Sequence, residues 1–114
     1  MINKKEKLLL IKIIQYCNRI LQKTSNIEKD VFIDDADVVE ICCFNLLQIG
    51  ELVKNFDIDF LKSYPSVPWK DIKGLRDHVA HGYGTIKLIK IWKTIKNDIE
   101  PLMNYCEKII EENK

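Results

Sequence analysis

At 114 residues the chain has the size of one domain, with a core modest but sufficient without disulfide or metal staples. Hydrophobic residues make up 46% and charged residues 31%, the ordinary balance of a soluble globular protein. A formal net charge of +1 argues against binding nucleic acid by bulk charge and leaves only a local basic face for that purpose.

The N-terminal "MINKKEKLLLIKII" is basic and then apolar, but Lys12 interrupts the apolar run and no small-residue cleavage site follows it, so a secretory signal is not expected. No run approaches the roughly 18 apolar residues of a membrane span, and a cytoplasmic protein without membrane association is expected. Leu10, Ile13, Ile14, Cys17, Ile20 and Leu21 recur at three-to-four spacing, which predicts an amphipathic helix from about residue 4 to 24. "SNIEKDVFIDD" reads as a polar connection rich in capping residues.

A second helix is predicted from about Ala36 to Phe56, with Val39, Cys42, Leu46, Ile49, Val53 and Phe56 inward. Gly50 inside it costs about 1 kcal/mol relative to alanine, which a close helix crossing would explain. "DIDFLKSYPSVPW" carries two prolines and predicts a short helical turn followed by a bend, with Pro68 in the first turn of the next element. A short helix from about Trp69 to Ala80 then stops at the glycines around His81.

The last helix, from about Thr85 to Glu111, places Leu88, Trp92, Ile95, Ile99, Leu102, Cys106 and Ile109 alternately four and three apart, an a/d seam. Pro101 removes the bond to the Asn97 carbonyl and is expected to kink it. The fold class is therefore all-α: a small bundle of two long antiparallel helices, a short third helix and a long kinked C-terminal helix. Cys17, Cys42, Cys43 and Cys106 form no CxxC pair and fall on or beside apolar stripes, so they read as reduced, mostly buried thiols. Trp69 and Trp92 read as core or interface residues, and Arg19 as a surface charge.

The rare residues converge on "GLRDHVAHGYG", residues 74 to 84, which holds both histidines, one of only two arginines and three of four glycines. Gly82 and Gly84 suit a helix end, which would leave His81 in a last turn, able to swing toward Arg76, with Tyr83 just beyond. Asp77 stands at i to His81 at i+4, where a carboxylate orients an imidazole and favours its protonated form. Arg76 and His81 together suit RNA cleavage through the 2′-hydroxyl. A histidine moves protons near neutral pH, and an arginine holds the scissile phosphate with two parallel bonds and stabilises the transition state. One copy supplies one acid-base group, and a symmetric dimer would supply two. On these residues alone a structural role competes: Arg76 in a salt bridge and His81 at a helix C-terminus. A metal held by His78 and His81 is disfavoured because no cysteine lies nearby, and neither metal nor cofactor is expected. Lys87, Lys90, Lys93 and Lys96 recur every third residue and offer either a phosphate-tracking edge beside the motif or a solvated face; Lys87 and Lys90 are the RNA-binding candidates.

"RDHVAHGY" resembles the R-x4-H-x-Y form of the R-x4-6-H motif of HEPN domains. The likeness runs upstream through "YPSVPWKDIKGLR", downstream through "IWKTIKNDIEPL", and includes "NLLQIGELVK" in the second helix. It covers roughly residues 38 to 106 and resembles the HepT-like group; the first helix shares only its apolar pattern. Asp77 stands where the family more often has asparagine. The resemblance implies a small helical toxin acting as a metal-independent ribonuclease, a homodimer in which two motifs face one another across a cleft. It implies Arg76 and His81 as catalytic residues, Asp77 as the supporting polar position, and Tyr83 as the candidate for adenylylation by a minimal, MntA-like nucleotidyltransferase antitoxin. A second reading keeps the fold without catalysis: a helical adaptor that binds a nucleotidyltransferase or a nucleotide.

Overall fold

The computed structural model describes residues 1–75, 79 and 85–114, with backbone alone for 85 and 86. Every regular element among them is helical. Helix α1 spans Lys4–Thr24. Asn3 opens it with a capping box: its side chain accepts from the Glu6 N–H at 2.8 Å, and Glu6 Oε1 accepts from the Asn3 N–H at 2.9 Å, satisfying two otherwise orphaned donors. Its inward stripe is Leu10, Ile13, Cys17, Ile20 and Thr24, all fully buried.

The polar connection expected before the second helix contains a helix of its own, α2 (Lys29–Asp34). A single apolar anchor explains it. Phe32 is fully buried and meets Trp92 with ring centroids 5.0 Å apart, so one side chain fixes six residues. Asp35 then caps α3 (Ala36–Val53) by accepting from the Val38 N–H at 3.2 Å. Helix α3 ends three residues before the predicted limit, yet Phe56 stays buried and stacks on Phe60 of α4 (Ile58–Ser63) at 4.4 Å. Trp69, at the start of α5 (Trp69–Lys73), joins this cluster, and its indole N–H donates to the Tyr64 carbonyl at 3.0 Å. Both tryptophans are thus core residues, as expected. Arg19 is exposed, lying over the Tyr16 ring at 5.3 Å.

The C-terminal helix is continuous from α6 (Thr85–Thr94) through a π segment (Ile95–Ile99) to α7 (Glu100–Glu112). Pro101 sits in the first turn of α7. It has no N–H to give the Asn97 carbonyl, and its ring would crowd that carbonyl in an unbroken α-helix. The wider π turn just before it takes up the fault that the sequence read as a kink. The predicted seam is buried from Trp92 onward, whereas Leu88 is half-buried and Ile91 takes the inward place beside Trp92.

Helix α1 packs against α3 on one side and α7 on the other, α5 lies on α3, and α2 bridges α3 and α6. All four cysteines are free and buried, which agrees with the reading of reduced core thiols. Loss of hydration pushes the thiols of Cys42 and Cys106 up to about 12, and those of Cys17 and Cys43 also upward, from an ordinary 9.0. Above pH 9 the unfolded chain therefore releases thiol protons that the folded chain keeps. Stability from this source is complete below pH 9 and falls as pH rises toward 12, by up to about 1.4 kcal/mol per pH unit for each thiol. Urea midpoints of wild type and Cys106→Ala, compared at neutral pH and at about pH 10.5, test this. The variant should lose less stability than wild type across that interval, because lysine titration is common to both.

Candidate active site

Arg76, Asp77, His78, His81 and Tyr83 lie outside the described residues. What is described is the frame that carries them. Leu75 and Val79 are 7% and 6% exposed and, being i and i+4, suit a common helical face. Upstream the motif is tethered by the buried Trp69 and Ile72 of α5, and downstream the chain enters α6 at Thr85.

Leu75 and Val79 line a cavity of about 350 Å³ together with Leu46 of α3 and Lys87, Lys90, Ile91, Lys93 and Thr94 of α6. Its described lining holds three lysines and no carboxylate. Leu75 also lines a second cavity of about 290 Å³, where Asp71 and Asp98 are the charged groups, beside Ile99, Pro101 and Tyr105. The two hollows that share Leu75 thus have opposite electrostatic character in their described linings. An anion is drawn to the first and repelled by the second.

The four-lysine run divides. Lys96 donates to the Thr24 carbonyl at 2.9 Å, and its ammonium lies 4.5 Å from the centre of the Trp92 ring. That places a cation on a carbonyl of the last turn of α1, which has no partner within its own helix. Lys96 is therefore a tie between two helices. Lys87, Lys90 and Lys93 are exposed, and no acceptor or carboxylate among the described residues engages them. The candidates Lys87 and Lys90 thus fall on the cavity next to the motif, and Lys93 joins them.

Asn45 opens the "NLLQIGELVK" segment that carries part of the resemblance, but sequence reasoning assigned it no role. It is 3% exposed, and its amide N–H donates to the Ile41 carbonyl at 2.6 Å. That bond sets the amide orientation, since a reversed amide would turn two oxygens toward each other. No donor among the described residues reaches its Oδ1. The available signal was an asparagine next to Leu46 on a helix whose neighbouring positions are apolar, a site where a buried amide needs partners. No group of three metal-ligating side chains occurs among the described residues, and no described helix is long and apolar enough to cross a membrane.

The model of the ribonuclease HepT-like family matches residues 13–109. It takes in most of α1 as well as the stretch around the motif. A protein of Methanocaldococcus jannaschii named "Putative RNase MJ1216" is 32% identical over 106 residues, covering 93% of this chain and 88% of its own length. "Putative RNase TTE0752" of Caldanaerobacter subterraneus subsp. tengcongensis is 31% identical over 102 residues, covering 90% and 91%. "Probable ribonuclease HepT" of Thermococcus cleftensis is 38% identical over 61 residues, covering 54% and 56%. No solved structure matches. The class of protein defined by this family and this fold is a small all-α, HEPN-like ribonuclease. The chain belongs to the ribonuclease HepT-like family.

The division of the lysines has a measurable consequence. Lys96→Met should cost about 1–2 kcal/mol, the worth of a charge-assisted hydrogen bond and a cation–π contact. Lys93→Met should stay within about 0.5 kcal/mol of wild type. Urea denaturation of the two variants checks both values.

Proposed function

We propose that this ribonuclease is the toxin of a toxin–antitoxin system, an RNA endonuclease that works without a metal through the 2′-hydroxyl of its substrate. The observation that carries this reading is the R-x4-H-x-Y string from Arg76 to Tyr83, embedded in a family match over residues 13–109. The cationic cavity beside it supports an anionic polymer as substrate.

In this reading an imidazole takes the proton from the 2′-hydroxyl, and O2′ attacks phosphorus. The bond from phosphorus to the leaving 5′-oxygen breaks, and that oxygen is protonated, leaving a 2′,3′-cyclic phosphate. His81 provides one proton-transfer group. A homodimer provides the other, the partner's His81, with both motifs facing one cleft. Arg76 grips the phosphate and stabilises the charge that builds on its oxygens in the transition state. Asp77 orients His81 and favours its charged form. Lys87 and Lys90 hold phosphates outside the scissile bond. An MntA-like nucleotidyltransferase antitoxin silences the enzyme by attaching AMP to Tyr83, which adds bulk and negative charge two residues from the histidine. The protein works in the cytoplasm and needs no cofactor.

Purified protein in EDTA should cleave RNA, and His81→Ala and Arg76→Ala should each lower the rate by at least about 10²-fold, to background, with unchanged helical circular dichroism. Growth inhibition on expression should disappear in the same variants. A fully active His81→Ala protein would sink the assignment. A folded, unmodified wild type inert toward total RNA and tRNA would favour the adaptor reading instead.

A further inference from the structure

The cavity between α3 and α6 has a composition that a phosphate-tracking edge alone does not require. Its described lining is amphipathic: Leu46, Leu75, Val79 and Ile91, each at most 7% exposed, form an apolar floor, and Lys87, Lys90 and Lys93 stand around it. Its volume of about 350 Å³ lies at the small end of the range for ligand sites, which begins near 300 Å³. The three lysines recur at three-residue spacing on α6, so their stems span about 9 Å of helix axis. That separation exceeds one ammonium's reach and suits more than one negative group. Lysine four-carbon stems also extend an apolar wall while keeping the charge at its edge.

The contrast with Lys96 bears on what these lysines are for. It continues the same three-residue run, yet it is bound to the Thr24 carbonyl and Trp92 and lines no part of this cavity. The lysines at the cavity have no such engagement among the described residues. An apolar lining edged by cations that have no partner among the described residues, with no carboxylate in its described lining, suits a nucleotide, whose base is apolar on its faces and whose phosphates are anionic.

We propose that this cavity is a nucleotide subsite of the ribonuclease. It takes a single-stranded ribonucleotide next to the scissile phosphate, with the base against Leu46, Val79 and Ile91 and the flanking phosphates on Lys87, Lys90 and Lys93. The proposal rests on the reading of the chain as an RNA-cleaving enzyme and adds to it a base-contacting floor and Lys93. Binding to an apolar floor by base faces tolerates any base, so the subsite gives grip on unpaired RNA and little sequence choice. Duplex RNA keeps its base faces stacked and is excluded.

The test uses the full-length protein and a short single-stranded RNA carrying one 4-thiouridine, read by photocrosslinking with peptide mapping and by affinity as a function of salt. The expected crosslinks fall on the peptides that contain Leu46 and Ile91. Lys93→Gln should weaken binding equally across sequences and lower the slope of log affinity against log salt by about 0.7, the value for one phosphate contact on a single strand. Lys12→Gln, an exposed lysine of α1 outside the cavity, should leave the slope unchanged. Crosslinks confined to other surfaces, or a Lys93→Gln slope equal to wild type, would overturn the subsite even if RNA is still cleaved. Crosslinks at the cavity with the slope change, from a protein that cleaves no RNA, would uphold the subsite and remove the nuclease reading.

Discussion

The structure depends on burying one stripe of α1 on both sides at once. Leu10, Ile13, Cys17 and Ile20 have no solvent exposure, because α3 covers one flank and α7 the other. Each such side chain contributes about 1.5–3 kcal/mol when removed from water. Helix α1 therefore acts as the axis on which two helices distant in sequence are held side by side. A hollow between α3 and α6 is lined by Leu46, by Leu75 and Val79, and by Lys87, Lys90, Ile91, Lys93 and Thr94. The Lys96 bond to the Thr24 carbonyl closes the same arrangement at the end of α1. A catalytic constellation needs supports of this kind, because small errors of position are costly.

Much of this was legible in the sequence, and the reasons differ by element. The three long helices announced themselves because each buries a stripe, and a buried stripe must recur at three and four residues. Their limits were less legible. Helix α3 stops at Val53, whereas the apolar pattern ran on to Phe56, because Phe56 is buried by α4 and α5 and not by continuing the helix. Helix α2 was invisible for a related reason. Its one apolar anchor, Phe32, earns its place by meeting Trp92, a contact no local periodicity encodes. Pro101 signalled a fault in the last helix, but a missing N–H says only that a bond is absent; that a π turn absorbs it depends on packing on both sides.

The candidate site was legible as a set of residue types. Arg76 and His81 stand out by scarcity, and Tyr83 by its place two residues after His81; spacing alone left a structural role for the pair open, and their assignment as catalytic came from the resemblance. The lysine run was legible only as a run. Separating Lys96 from Lys87, Lys90 and Lys93 needed the contact to Thr24, 72 residues away in sequence. Asn45 was legible only as the first residue of "NLLQIGELVK"; its burial was not, since an asparagine on a helix is normally a solvated side chain. Tertiary contacts thus decide which members of a regular pattern are structural and which remain free for a ligand.

The chemistry assigned to the Arg76–His81 pair turns on a single atom of the substrate, the 2′-oxygen of the ribose before the scissile bond. The most direct measurement is cleavage, in EDTA, of two RNA oligonucleotides that differ only by one 2′-deoxy substitution at a mapped cleavage position. The all-ribose strand should be cut there to leave a 2′,3′-cyclic phosphate, and the substituted bond should remain intact. Cutting at the 2′-deoxy position would contradict a mechanism that uses the RNA as its own nucleophile.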